Sequence, residues 1–187
     1  MTTQLEAINI MLSCIGHMPI NTLAGTQSSF TIAAQSLLDS ELKRVQLRGF
    51  DFNTEENYVL EPDEDGYIKI ANNMTKIEVH QRYLNRYVVR GSKLYDNVNH
   101  TFEINHPVRA SVTFALTFEE VPEVVRRYVT MSAAYKFTKR ELGSQAVCAY
   151  TQEDLMEARA DMLDHEINIG NYSMIPEMYT REIRGDL

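Results

Sequence analysis

Tryptophan is absent from the 187 residues, and cysteine is nearly so, with Cys14 and Cys148 standing alone. Two distant cysteines without Cys-x-x-Cys spacing indicate neither a zinc site nor a disulfide framework, and they fit synthesis in the reducing cytoplasm. Long apolar runs are missing as well. No stretch approaches the roughly 18 residues a membrane span needs, and the N-terminus shows no charged region followed by an apolar core. Positive charge is in deficit: 18 Lys and Arg face 26 Asp and Glu, for a net charge of −8 and a pI near 5.1. That balance argues against wrapping nucleic acid through phosphate contacts, which depends on clustered cations displacing counterions. A negative surface does let a duplex slide past without sticking.

The vocabulary of catalysis is equally thin. His17, His80, His100, His106 and His165 fall in different elements, with no His-x-x-x-His or His-Glu-x-x-His spacing for a metal. Neither Gly-x-x-x-x-Gly-Lys-Ser/Thr nor Gly-x-Gly-x-x-Gly occurs, so no phosphate loop is expected. Asp63-Glu64-Asp65-Gly66 shares part of a calcium-loop pattern but lacks the remaining ligands, and reads as a hairpin turn. Glu119-Glu120 could supply the acid of a glycan hydrolase, as could a carboxylate of the Asp63–Asp65 turn, yet a glutamate pair just ahead of a helix is explained by the helix dipole. No catalytic, cofactor-binding or metal-binding residue is assigned.

What the chain does have is clear punctuation. Its longest helix is read over Phe118–Leu142, with Pro122 at the first helical position, Glu119, Glu120 and Glu123 at the positive pole, Lys136, Lys139 and Arg140 at the negative one, and Gly143 as the stop. Apolar positions on several sides of it call for more than one neighbour. Thr3-Gln4-Leu5-Glu6 is a capping box that opens a first helix carrying Leu5, Ile8, Leu12 and Ile15, ended by Gly16 and Pro19. Ser28 or Ser29 caps a second, with Phe30, Ala33, Ala34, Leu37, Leu38, Leu42 and Val45 inward and Gly49 closing it. Ser144 or Thr151 opens a fourth, with Leu155, Ala158, Met162, Glu166 and Ile169 at helical steps and Gly170-Asn171 as its end.

Between the second and third helices the period changes to two. Phe50, Phe52, Tyr58–Leu60, Ile68–Ile70, Ile77–Val79, Tyr87–Val89, Lys93–Tyr95, Phe102–Ile104 and Val112–Leu116 are short and rich in aromatic or β-branched residues, with turn residues between them. Arg90-Gly91-Ser92-Lys93 reads as a hairpin tip. The expected fold is α+β: a four-helix bundle from residues 1–49 and 119–170, an inserted, mostly antiparallel β region over 50–118, and a C-terminal tail over 171–187.

Ten tyrosines and nine methionines supply adaptable amphipathic side chains of the kind enriched at protein interfaces. Candidate contact residues are Tyr58, Tyr67, Tyr83, Tyr87 and Tyr95 in the β region and Tyr172, Met174, Ile175, Met178 and Tyr179 in the tail. Arg126, Arg127, Lys136, Lys139 and Arg140 form a basic run on one helix, read as its solvated face or an intersubunit ion-pair strip.

Three stretches in order carry a resemblance: Ala7-Ile8-Asn9-Ile10-Met11-Leu12-Ser13-Cys14-Ile15-Gly16-His17-Met18-Pro19 with Thr22-Leu23-Ala24-Gly25; Arg48-Gly49-Phe50-Asp51-Phe52-Asn53-Thr54-Glu55-Glu56; and Phe118-Glu119-Glu120-Val121-Pro122-Glu123 opening a helix that holds Tyr135 and Phe137. Together they resemble the tail tubular protein A family of T7-like short-tailed bacteriophages. The resemblance implies a virion tail protein made in the host cytoplasm, a head-to-tail adaptor or gatekeeper of which twelve copies form a ring beneath the portal. It implies as partners the portal protein, the nozzle protein (tail tubular protein B), a nearby tail fibre protein and further copies of itself, with genomic DNA passing through the channel without sequence-specific binding and no membrane involved. On that reading the tail reaches the portal and the tyrosines of the β region face nozzle or fibre; a virion-associated glycan hydrolase is the alternative.

Overall fold

Thr3 starts the first helix as its composition dictates. Its hydroxyl accepts from the Glu6 backbone N–H at 3.2 Å while the Glu6 carboxylate accepts from the Thr3 N–H at 2.8 Å, closing the capping box of α1 (Gln4–Cys14). The other end is a Schellman motif: Gly16 takes φ +74°, its N–H donates to Ser13 at 2.9 Å, and His17 N–H donates to Leu12 at 3.0 Å. The structure, a computed structural model, describes residues 1–80, 83, 86–143 and 151–168.

Two compact units emerge: Met1–Val45 with the described residues from Phe118 onward, and Gln46–Thr117. In the first, Ser28 caps α2 (Ser29–Gln46), its hydroxyl accepting from Thr31 N–H at 3.2 Å and lying 2.9 Å from the Thr31 hydroxyl. That local pairing lets Thr31 be fully buried. The inward face is therefore Thr31, Ala34, Leu37, Leu38, Glu41, Leu42 and Val45, whereas Phe30 and Ala33, expected inward, are exposed.

Pro122 precedes α3 (Glu123–Glu141) as its N-cap rather than its first helical residue, since ψ 150° keeps it extended. Val125, Tyr128, Val129, Ala133, Ala134 and Phe137 are buried around much of α3, so it has neighbours on several sides. α1 runs parallel to it, with Thr2 bonded to Glu123 at one end and the Cys14 thiol bonded to Thr138 at the other. α2 runs antiparallel, placing Arg44 by Ser132 and Glu41 by Lys136. Residues 151–168 form α4, which buries Ala158 and Met162. The expected cap at Ser144 and the stop at Gly170-Asn171 lie outside the described residues.

The second unit holds an antiparallel sheet of β1 (Thr54–Leu60), β5 (Val108–Phe114) and β2 (Met74–Val79), with β5 in the middle. A bulge between Glu55 and Tyr58 accommodates Asn57 at φ +58°. β3 (Tyr87–Arg90) and β4 (Lys93–Asp96) form the expected hairpin, its tip turned by Gly91 at φ +62°. Leu60, Ile68, Tyr87, Leu94, Ile104, Val108, Ala110 and Val112 make the core of this unit. Three expected strands are corrected. Phe50 and Phe52 flank and enter a 3₁₀ turn over Asp51–Asn53, and Ile68–Ile70 and Phe102–Ile104 contribute only bridges, Tyr67 to Glu103 and Lys69 to Lys93. Their apolar residues reach the core from irregular chain, where burial and not ladder pairing selects them.

Candidate assembly surfaces

The basic run on α3 separates into three fates. Arg126 is 7% exposed and turns its guanidinium inward, donating from Nε to Val121 O at 2.8 Å, from Nη1 to Thr2 O at 3.1 Å and from Nη2 to Glu119 O. It is a corrected assignment: the residue is not on a solvated face, because three backbone carbonyls at the start of α3 and of the chain need its donors. Lys136 is half-buried and bonded to Glu41, and Arg127 reaches Glu157 of α4 at 3.3 Å. Lys139 and Arg140 stay exposed, Lys139 lying 6.0 Å from the Tyr135 ring.

Glu41 anchors the charge inside this unit. Its side chain is 4% exposed and receives Ser132 Oγ at 2.8 Å, Arg44 Nε at 2.9 Å and the Lys136 ammonium. Burial pushes against ionisation, but the hydrogen bonds from Arg44, Lys136 and Ser132 outweigh it and hold the carboxyl below its ordinary range. Sequence reasoning missed this cluster. The signal was a glutamate at an inward helical position, one turn after Leu38 and beside Leu42, with Arg44 three residues on.

In the second unit the tyrosines form small aromatic–cation assemblies. Lys93 Nζ lies 3.7 Å from the Tyr67 ring centroid and the Arg90 guanidinium 3.8 Å from that of Tyr95, while Tyr95 packs edge-on against Phe102 at 4.9 Å. Tyr58 meets Phe114 edge-on at 5.6 Å. Tyr58, Tyr67, Tyr83 and Tyr95 are half-buried and keep part of each ring in solvent. Tyr87 is a correction: at 4% exposed it belongs to the core, its hydroxyl 3.0 Å from His106 Nε2 and its ring 5.4 Å from Tyr83. Burial raises its phenol above the usual range. Asp96, at the end of β4, accepts from Arg86, from the backbone of Val98 and Asn99 and from the Asn99 amide, and so fixes the turn after the hairpin.

A groove of about 520 Å³ runs along α2, lined by Ile32, Gln35, Ser36, Asp39, Ser40 and Lys43. A pocket of about 360 Å³ in the second unit is lined by residues that include Phe52, Asn53, Glu55, Asn73 and Phe114. Asn53 itself is a structural hub, donating to Gln46 O at 3.1 Å and Phe114 O at 2.8 Å and accepting from Phe50 N–H at 2.9 Å. On α4 the side opposite Ala158 and Met162 is apolar too: Met156, Leu163 and Ile167 are 61%, 41% and 56% exposed. Tyr172, Met174, Ile175, Met178 and Tyr179 lie outside the described residues. Among the described residues, no helix is long and apolar enough to cross a membrane, and no group of three or more His, Cys, Asp or Glu is placed to hold a metal ion.

The stretches that carried the resemblance do structural work here, in the Ile15–Gly16 helix stop, the Asn53 hub and the Glu119 and Val121 carbonyls that hold Arg126. A profile of the tail tubular proteins matches residues 5–172, nearly the whole chain. The chain belongs to the tail tubular protein family. Tail tubular protein A of Klebsiella phage KP34 is 24% identical over 181 residues, spanning 97% of this chain and 96% of that protein. Membership makes this chain a structural component of a phage tail. In a tail tubular protein, exposed apolar and aromatic groups are read as contact surface before they are read as substrate sites.

Proposed function

We propose that this tail protein is a head-to-tail adaptor: copies of it form a ring that docks on the portal, continues into the nozzle and surrounds the channel through which the genome leaves. The observation that carries the reading is the end-to-end match to a tail tubular protein A, with both chains covered almost completely. Support comes from the surfaces. The helices, closing as a four-helix bundle, form the ring wall, and charge inside the first unit is largely consumed in internal pairs. The half-buried tyrosines of residues 50–118, Tyr58, Tyr67, Tyr83 and Tyr95, face the nozzle or fibre, and the tail over 171–187 with Tyr172, Met174, Ile175, Met178 and Tyr179 reaches the portal. A net charge of −8 suits a channel wall that DNA must pass without adhering.

Light scattering of the purified protein, alone and mixed with its portal, tests this. A ring, or a single chain that joins the portal in fixed stoichiometry, is the expected result. A single chain indifferent to the portal sinks the adaptor reading. Deleting residues 173–187 tests the tail separately, because portal binding that survives the deletion removes the tail from that interface.

A further inference from the structure

α4 is apolar on two sides. Thr151, Ala158 and Met162 are buried against the first unit, whereas Met156, Ala160, Leu163 and Ile167 recur at i, i+4, i+7 and i+11 on the solvent side. At 100° per residue those four stay within a stripe about 60° wide, the geometry of a helix that packs along its length on another surface. One edge of the stripe is acidic, built from exposed Glu153, Glu157, Asp161 and Asp164. Single exposed apolar side chains are ordinary on a protein surface, but three large ones in register along one helix mark a contact face.

The groove on α2 has the opposite relief. Ala33, Ser36 and Ser40 are small and exposed on the outer side of α2, with Ile32 at 58% exposure toward one end and the exposed Lys43 toward the other. Asp39 lies in the groove, its carboxylate tied to the Gln4 amide at 3.2 Å. A bulky ridge with an acidic edge and a shallow groove of small residues between Ile32 and Lys43 are complementary in shape, and Lys43, which also faces Asp39 of its own helix, is the cation at the groove's end that the acidic edge can meet.

We propose that the Met156–Leu163–Ile167 stripe of one copy seats in the α2 groove of the next, with the acidic edge toward Lys43. The inference rests on the ring reading and names the two faces that build it. Because stripe and groove are different surfaces, the contact is heterologous and propagates head to tail, the arrangement that generates rings when the rotation closes.

The test uses the full chain with one blocked face at a time. Leu163→Asp disables the stripe and Ser36→Arg fills the groove; both positions are exposed, so circular dichroism should match the wild type. Wild type should form a multimer by light scattering, and each variant alone should remain at 21.5 kDa. An equimolar mixture should give a particle of twice that mass and no larger, since each variant retains one working face and only one pair can form. Variants that assemble like wild type overturn the proposal and leave the ring itself standing. Variants that stay single even when mixed also overturn it, because stripe and groove then do not meet each other. A wild type that stays single at high concentration and on its portal overturns both this contact and the ring.

Discussion

Replacing Glu41 with glutamine isolates the one carboxylate on which α2 and α3 converge. The substitution preserves volume and an acceptor oxygen for Ser132, and removes the charge that Arg44 and Lys136 address. Removing one partner of a fully buried ion pair costs about 3–5 kcal/mol. Here the cations are not fully buried: the Lys136 and Arg44 side chains are 38% and 41% exposed and can turn to water. Solvent screening reduces the expected loss to about 1–2 kcal/mol, and for a chain of this length that corresponds to about 2–8 °C in melting temperature. The pH dependence follows from the sign of the shift. The carboxyl is held below its ordinary 4.5, so its contribution is complete above that value and disappears as pH falls through the lower folded value. Thermal melts by far-ultraviolet circular dichroism should therefore show Glu41→Gln below wild type at pH 7 and the gap narrowing as pH falls below 4.5. Equal melting at pH 7, or a gap that stays unchanged as pH falls, would refute the ion-pair account. Lys136→Met should cost less than Glu41→Gln, because Arg44 and Ser132 still hold the carboxylate.

Thr3→Ala removes the hydroxyl of the α1 capping box and should cost about 0.5–2 kcal/mol by urea titration, while Thr3→Ser should restore most of it. Gly66→Ala sets a Cβ against the Asn105 side chain at φ +78°; adding Asn105→Ala should relieve the clash but leave about 1–2 kcal/mol of left-handed strain in the same titration. Asn53→Ala removes the amide that donates to the Gln46 and Phe114 carbonyls and accepts from the Phe50 N–H, a loss of about 2–4 kcal/mol that the tyrosine fluorescence of this tryptophan-free chain can follow through unfolding. Assembly through the α4 stripe should persist when salt is raised about tenfold, since apolar burial is not screened; dissociation into single chains under that change would instead point to an ion-pair strip.

Local chemistry made much of this fold legible. Thr3 with Glu6, Ser28 and Gly16 all end helices where their side chains or backbone freedom require it, Pro122 stands one position before its expected place, and Gly91 turns the one hairpin read residue by residue. What escaped the sequence depends on pairing and burial that residue spacing alone does not fix. Thr31 displaces Phe30 and Ala33 from the inward face only because Ser28 satisfies its hydroxyl. Ile68 and Ile104 have strand composition, yet they serve the core from irregular segments, since apolar content reports burial and leaves ladder pairing undetermined. The Asn53 and Glu41 hubs escaped because their bonds reach residues 61 and 91 positions away, and only the inward glutamate with Arg44 three residues on hinted at the second. The stripe on α4 was within reach, because Met156, Leu163 and Ile167 keep helical spacing in the bare sequence. The expectation of a single inward face is what obscured it.

The fate of the basic run on α3 bears on how such a protein assembles. Five cations on one helix invite the picture of an electrostatic strip, but Arg126 is bound by three carbonyls, Lys136 by Glu41, and Arg127 by Glu157. An intersubunit contact that drew on these would first have to break bonds that hold the chain's own start, α2 and α4 in place, so each new ion pair would be offset by a lost one. Lys139 and Arg140 are exposed, and exposed pairs contribute at most about 1 kcal/mol each. An apolar stripe carries no such opposition. Burying Met156, Leu163 and Ile167, which are 61%, 41% and 56% exposed, removes surface already facing water and disturbs nothing beneath, so each contributes about half of the roughly 1.5–3 kcal/mol that a fully exposed side chain would. Among the described surfaces, the energetics therefore favour α4 as the joint and leave to the charges around it the choice of which neighbour docks and in which register.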